Sequence, residues 1–455
     1  DLIHSALREP DNWERELPDG ALAATVPLNG GAVRRYIVIW AEDGTHYDTV
    51  TIYQNRRADG KILGQMKTGS WSDVVYDEYA QEDVVVPVAY RMRVLEMSPD
   101  GSKVKLFMTN AQNMADHSYT YPQDMGQMLF EAVGPALCFA KYGQVGGTDW
   151  EGHQVLLESF AHNIQWHTDA SNWLFEKYPD WQLYYIHLHG IDLYNHWYIN
   201  RTVPGSDPHW QKYQEILYQM YELHDRYIGE MLKQLDGETA VFICSDHAAV
   251  PHSVGDVNPC IGSIAGITTG VMEELGYTKS YVDAEGKVQI DWSQTRAVFH
   301  RSSHVYINLK GREPEGIVEP EDYEATVQQL ISDLYNYRHK EMGKRVVAFC
   351  MTRDEMEIVG MGGDHCGDIL CQLVPTYCEE HANCPTTATN EGYSLNNLCI
   401  MVGAGIIKGA LINRVIRITD IVPTICHLAN TAVPSNAEGG VIWQALEGFE
   451  EEQFA

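Results

Sequence analysis

Along the first third of the chain, apolar side chains recur at alternate positions. Arg35-Tyr36-Ile37-Val38-Ile39-Trp40 is a short apolar strand candidate, and Tyr47 to Tyr53 alternates as a half-buried strand does. Tyr90 to Met97 and Lys103 to Met108 flank Ser98-Pro99-Asp100-Gly101, where Asp-Gly supplies the positive φ angles of a tight hairpin turn. Residues 1–120 therefore read as an antiparallel β module.

From about residue 121 the period changes. Asp149 to Tyr178 has helical spacing and stops at Tyr178-Pro179, since proline disfavours helix at the residue before it. Leu183 to Leu188 follows as a strand candidate. Gln211 to Leu235 reads as a long helix closed by Asp236-Gly237, and Thr239 to Cys244 as a buried strand. Such alternation predicts an α/β fold with a mainly parallel sheet flanked by helices over residues 121–455.

Composition narrows the function. The 455 residues, 44% hydrophobic and 10% aromatic, suffice for a large core plus a smaller module. No run approaches the ~18 apolar residues of a membrane span, and the first residues show no signal peptide. A net charge of −31, from 63 acidic against 32 basic residues, argues against non-specific binding to nucleic-acid polymers or anionic membranes. An anionic substrate would need a local positive centre, which bound metal ions supply. Of ten cysteines, Cys244 and Cys399 lie in apolar runs as small hydrophobes. Cys366, Cys371, Cys378 and Cys384 lack a CxxC pair. Reduced thiols and a cytoplasmic setting are the expectation, with a disulfide inside the 366–384 group as the alternative.

Two short stretches follow strand candidates, where open α/β sheets place ligands. Gly190-Ile191-Asp192-Leu193-Tyr194-Asn195-His196 sets Asp192 and His196 four apart, on one face if the segment is helical. Carboxylate and imidazole are a normal ligand pair for zinc or a similar ion. In Ser245-Asp246-His247, acid and imidazole are adjacent at a strand's mouth, although a helix N-cap is the plainer account of Ser245 or Asp246. His189 could line such a site or be a core histidine. Arg301, between His300 and His304, suits a phosphate or sulfate oxygen, or is an exposed loop residue. His252 could reach the same anion. Tyr194, Trp197 and Tyr198 could stack on an organic leaving group, or pack in the core.

Asp-x-x-x-His followed some 50 residues later by Ser-Asp-His resembles the alkaline phosphatase superfamily, and within it the type I phosphodiesterase/nucleotide pyrophosphatase branch. Leu95-Glu96-Met97-Ser98-Pro99-Asp100-Gly101 agrees. So do Val305-Tyr306-Ile307-Asn308-Leu309-Lys310-Gly311-Arg312, and Ile418-Thr419-Asp420-Ile421-Val422-Pro423-Thr424 with Glu438-Gly439-Gly440. The resemblance implies an alkaline-phosphatase-like core and two divalent ions, usually zinc. Asp192 and His196 would bind one; Asp246 and His247 would contribute to the other. It further implies hydrolysis of phosphate esters, as diesters or pyrophosphates, through the two-metal arrangement.

The chain departs from the family pattern twice. No strand in residues 1–120 ends in an Asp ligand followed by a Ser or Thr nucleophile, so the nucleophile is expected from an omitted segment or a companion N-terminal polypeptide. That piece would also cover sheet edges otherwise left unpaired. The family's late His-Gly-Tyr reads Glu391-Gly392-Tyr393 here, and a carboxylate favours harder ions such as manganese or magnesium. Glu391 is the first choice to complete the site of Asp192 and His196; His365 is the rival. Homo-oligomerisation is compatible with the sequence. Competing readings are a non-catalytic metal-binding subunit or pseudoenzyme and, within the superfamily, a sulfatase, phosphonate hydrolase or phosphomutase.

Overall fold

The computed structural model describes residues 2–4, 6–81, 84–137, 150–234, 236–249, 263–264, 267–300, 303–340, 342–374 and 397–449. Backbone proximity divides the chain into two compact units, Asp1–Ile191 with Glu215–Thr239, and Asp192–Gln214 with Ala240–Ala455.

The first unit opens with ten strands. These are β1 (Leu2–His4), β2 (Leu22–Leu28), β3 (Val33–Trp40), β4 (Thr49–Tyr53), β5 (Ile62–Lys67), β6 (Val75–Gln81), β7 (Val84–Tyr90), β8 (Met92–Met97), β9 (Val104–Met108) and β10 (Gln112–Asn113). They form antiparallel sheets of order β2-β3-β4-β5, β10-β7-β6 and β1-β9-β8, as the alternating pattern predicts. β4 departs from simple alternation, because all five of its residues are buried. It is an inner strand with both faces covered. Val50 and Ile52 join a core with Ile37, Ile39, Tyr90 and Leu106, while Tyr53 joins a second with Val38, Ala21 and Ala23.

The expected hairpin forms between β8 and β9, with Tyr90 assigned instead to β7. Gly101 donates its N–H to the Ser98 carbonyl at 2.9 Å and has a φ of +73°. A Cβ there would lie 2.7 Å from the Tyr47 ring and 2.8 Å from Leu22, so both conformation and space require glycine. In the core, Arg35 forms two 2.8 Å bonds with the Asp77 carboxylate, which also accepts from the Tyr90 hydroxyl at 3.0 Å. Burial alone would lower the Arg35 pKa, but the bonds and charge of Asp77 raise it overall. α1 (Asp124–Val133) and α2 (Trp150–Lys177) follow. Glu158 on α2 accepts Trp71 Nε1 and Arg93 Nε, each at 2.7 Å.

Two helices come next, α3 (Gly190–Tyr198) and α4 (Trp210–Met231). The second unit then contains β11 (Ala240–Cys244), β12 (Ser263–Ile264), β13 (Ile267–Thr268), α5 (Gly270–Glu274), β14 (Ser280–Val282) and β15 (Val288–Ile290). It continues with β16 (Ala297–His300), β17 (His304–Ile307), α6 (Tyr323–Asn336), β18 (Val347–Thr352), α7 (Arg353–Met356), β19 (Ile369–Leu373), β20 (Cys399–Gly403) and α8 (Ile421–Leu428). The largest sheet has the order β12-β13-β16-β17-β19-β18. Val327, Leu330 and Leu334 of α6 recur at helical spacing, and the core they enter includes Val305, Val347 and Ile369. Asp368 is buried at its edge, bonded to Arg312 at 2.6 and 2.7 Å, to Tyr323 Oη at 2.9 Å and to Ile307 N–H at 2.7 Å.

The α/β content agrees with expectation; the mainly parallel sheet does not. Every ladder among the described residues is antiparallel, and the parallel contacts are the single bridges Thr68–Val94, Leu309–Val318 and Lys310–Glu313. The expectation took residues 183–188 and 239–244 as strands of one sheet. The first segment alternates outward and inward, with Leu183 69% and Tyr185 82% exposed, but belongs to no strand. Alternation reports two faces, not a hydrogen-bonding partner. The second segment is a strand whose partner is β20, antiparallel and about 155 residues later. It is also only half-buried, with Cys244 exposed.

Candidate metal centre

α3 carries two stripes. Asp192 and His196, four apart, share one side; Tyr194 and Tyr198 lie about 200° around the helix from Asp192 and His196 respectively. Both tyrosines are fully buried, so packing accounts for them: Tyr198 stacks on Tyr213 at 5.5 Å and Tyr194 donates to the Tyr213 carbonyl at 3.1 Å. Core packing on one side fixes which way the other side faces.

β11 delivers the third residue. Past Cys244 the chain is fastened to the approach of β20: Ser245 N–H donates to the Leu398 carbonyl at 3.1 Å, and Leu398 N–H returns a bond to Ser245 Oγ at 3.1 Å. Asn397 Nδ2 donates to the carbonyls of Ser245 at 2.6 Å and Asp246 at 3.2 Å. His247 follows this anchored turn. Its Nδ1 lies 2.9 Å from the Ala248 carbonyl, which only accepts, so Nδ1 carries a proton and Nε2 is the ligand nitrogen of the neutral ring.

Asp192 Oδ1 lies 3.2 Å from His196 Nε2 and 3.4 Å from His247 Nε2, and the ligand atoms of the three residues fall within 4.8 Å of one another. All three side chains are about a quarter exposed. With Nδ1 turned to the Ala248 carbonyl, His247 directs Nε2 toward the same Asp192 oxygen that His196 approaches, so all three can face one ion. One carboxylate and two imidazoles are the donor set of a zinc-type ion, and the hydrogen bond at the far nitrogen of His247 is the usual support for a ligating histidine.

The other expected residues are placed differently. Asp246 has a side chain 77% exposed, with Oδ2 3.8 Å from His247 Nε2. The described residues thus gather His247 with Asp192 and His196 in one cluster. His365 is exposed on the turn before β19, its carbonyl 3.3 Å from the Tyr306 hydroxyl, and it is not part of that cluster. His189 is exposed, with its ring 5.2 Å from that of His187. Glu391, Arg301 and His252 lie outside the described residues. Asn397 was not anticipated, since an uncharged amide before a strand gives no signal of the two carbonyls it will bind.

Residues 115–377 match the family model described as type I phosphodiesterase / nucleotide pyrophosphatase. The chain belongs to this family. Asp192, His196 and His247 all fall within the matched span, so the resemblance that rested on those motifs is borne out at family level. No curated protein matches the chain. Among solved structures it is similar to wild-type alkaline phosphatase PafA, with 16% identity and a TM-score of 0.38 over 65% of this chain; it spans about half, 52%, of that chain's length. No helix among the described residues is long and apolar enough to cross a membrane.

Proposed function

We propose that this phosphodiesterase-family chain is a metal-dependent phosphoester hydrolase, acting on phosphodiester or pyrophosphate bonds, with one divalent ion held by Asp192, His196 and His247. The observation that carries the reading is the convergence of two imidazole nitrogens on one carboxylate oxygen, 3.2 and 3.4 Å away. When bound, the ion supplies positive charge to the phosphoryl oxygens as their charge builds. A chain of net charge −31 needs such a centre to take an anionic ester.

The protein's own groups do the holding. Asp192 supplies the anionic ligand between two neutral ones. Ala248 fixes the His247 tautomer through Nδ1–H, and Asn397 restrains the backbone that precedes it. Completion of the site of Asp192 and His196 by Glu391 or His365, a second ion to which Asp246 contributes, and a hydroxyl nucleophile from outside these residues belong to the same proposal. Zinc is the preferred ion for one carboxylate and two imidazoles, with manganese or magnesium if carboxylates complete the set.

The test is metal content together with turnover. Protein purified natively together with the segment or companion polypeptide that supplies the nucleophile, and dialysed against zinc, should retain divalent metal and hydrolyse bis(p-nitrophenyl) phosphate, losing both when Asp192 is replaced by Asn. Retained metal without hydrolysis of diesters, pyrophosphates or monoesters would overturn the catalytic reading in favour of a metal-binding subunit. Failure to retain any divalent ion would overturn the site itself.

A further inference from the structure

The two strands that present the metal-binding turn also face two thiols to each other. Cys244, last residue of β11, is the direct cross-strand partner of Cys399, first residue of β20. Both are free, and their sulfurs are 3.8 Å apart. The neighbouring pair, Ser245 and Leu398, is joined by the Ser245 N–H bond to the Leu398 carbonyl, which makes Cys244 and Cys399 a non-hydrogen-bonded pair. Opposite side chains approach most closely at such positions, with Cα atoms about 4.5 Å apart. Such a spacing falls within the roughly 4.4–6.8 Å that a disulfide accepts. Cys244 is exposed, so an oxidant has access. Partial burial of its sulfur and the facing Cys399 raise its pKa, which makes its attack on an oxidant slow at neutral pH.

We propose that Cys244 and Cys399 are a reversible dithiol/disulfide site, oxidised by a peroxide-class oxidant, that clamps the turn carrying His247. One cysteine, as thiolate, attacks a peroxide oxygen, and the O–O bond breaks to give a sulfenic acid and, after protonation, one water. The facing thiol then attacks the sulfenic sulfur, the S–O bond breaks, and the hydroxyl leaves with a proton as a second water. Sulfur loses two electrons in total and the peroxide gains them. The product links β11 to β20 one residue before Ser245, where the Leu398 and Asn397 hydrogen bonds already hold the turn. With Asp246 and His247 next in the chain, the bridge restricts the backbone that delivers a metal ligand and should tighten metal binding by pre-organisation.

The experiment treats the full chain with hydrogen peroxide and maps its peptides by mass. The expected result is a Cys244–Cys399 cross-linked peptide lighter by two hydrogens, reversed by dithiothreitol, accompanied by several-fold tighter zinc binding. Cys244→Ser and Cys399→Ser should each lose the linkage. Cys350→Ser, which alters a second cross-strand cysteine pair among the described residues, Cys350 with Cys371, should keep it. Unlinked Cys244 and Cys399 after peroxide treatment of the unaltered chain would overturn the proposal, whatever the variants do. A linked peptide with unchanged zinc affinity would overturn the clamp. Mass is read without any hydrolytic activity, so this test can fail or succeed independently of the proposed function.

Discussion

β4 and β11 are both five-residue strands, yet they are held in different ways. β4 lies between β3 and β5 with every residue buried, and its neighbourhood contains the Arg35–Asp77–Tyr90 network. β11 has one partner among the described residues, only half-buried side chains, and at its end a turn tied down by Ser245 and Asn397. The first is stabilised by area and by satisfied buried charge; the second positions a ligand through a few directional bonds. Packing can be spread over many residues with interchangeable apolar side chains. Placing an imidazole within ligand distance of Asp192 depends on single atoms.

This contrast predicts that stability and metal affinity can be damaged separately. Asp192→Ala should give the largest effect, weakening zinc binding more than about 100-fold, because even partners behind a ligand cost 10–100-fold; isothermal titration would show it, with the melting temperature of the metal-free protein little changed. Asp77→Ala leaves a buried guanidinium unpaired and should destabilise the first unit by about 3–5 kcal/mol in denaturant titration, with zinc affinity intact. A large loss of zinc binding in that variant would break the comparison.

Asp368→Asn should cost about 2 kcal/mol and also change the acid limb of stability. Burial opposes ionisation of Asp368, but hydrogen bonds from Arg312, Ile307 N–H and Tyr323 outweigh it and hold the carboxyl below the usual carboxylate range. A folded pKa below the unfolded one means that the contribution is complete above the unfolded value of about 3.9 and is lost as pH falls through the folded one. The variant's stability should therefore fall less steeply below about pH 4. Gly101→Ala should cost about 1–2 kcal/mol for the left-handed backbone alone, read in the same denaturant titration. Asn397→Ala should be smallest, weakening zinc about tenfold while leaving thermal melting of the metal-free chain unchanged. A shift in melting instead would assign Asn397 to the scaffold.

What could be read from sequence follows the same division. The β8/β9 hairpin was legible because Asp100-Gly101 states its own turn, and α2 and α4 because apolar spacing and a proline or glycine stop mark them. Asp192 with His196, and His247 beside Asp246, were legible as ligand types at suitable spacing. That His247 joins Asp192 and His196 was not, since this depends on where β11 ends relative to α3. Residues 183–188 have a strand's alternation without a strand's partner, and the supposed parallel sheet failed with that segment. Nothing local in Thr239 to Cys244 indicates that its partner begins at Cys399.

The two stripes of α3 also limit how the family's descendants can vary. Inserting one residue between Tyr194 and His196 would rotate His196 by about 100° relative to Asp192 and, in the same step, would swing Tyr198 out of line with Tyr194. Substitution can therefore erase the ligands one at a time, and the tyrosine packing would survive it. Relocation by an insertion or deletion between Tyr194 and His196 is closed, because the shift that moves a ligand also unpacks the helix. Lineages descending from this chain should keep the spacing of α3 even after they have stopped binding metal.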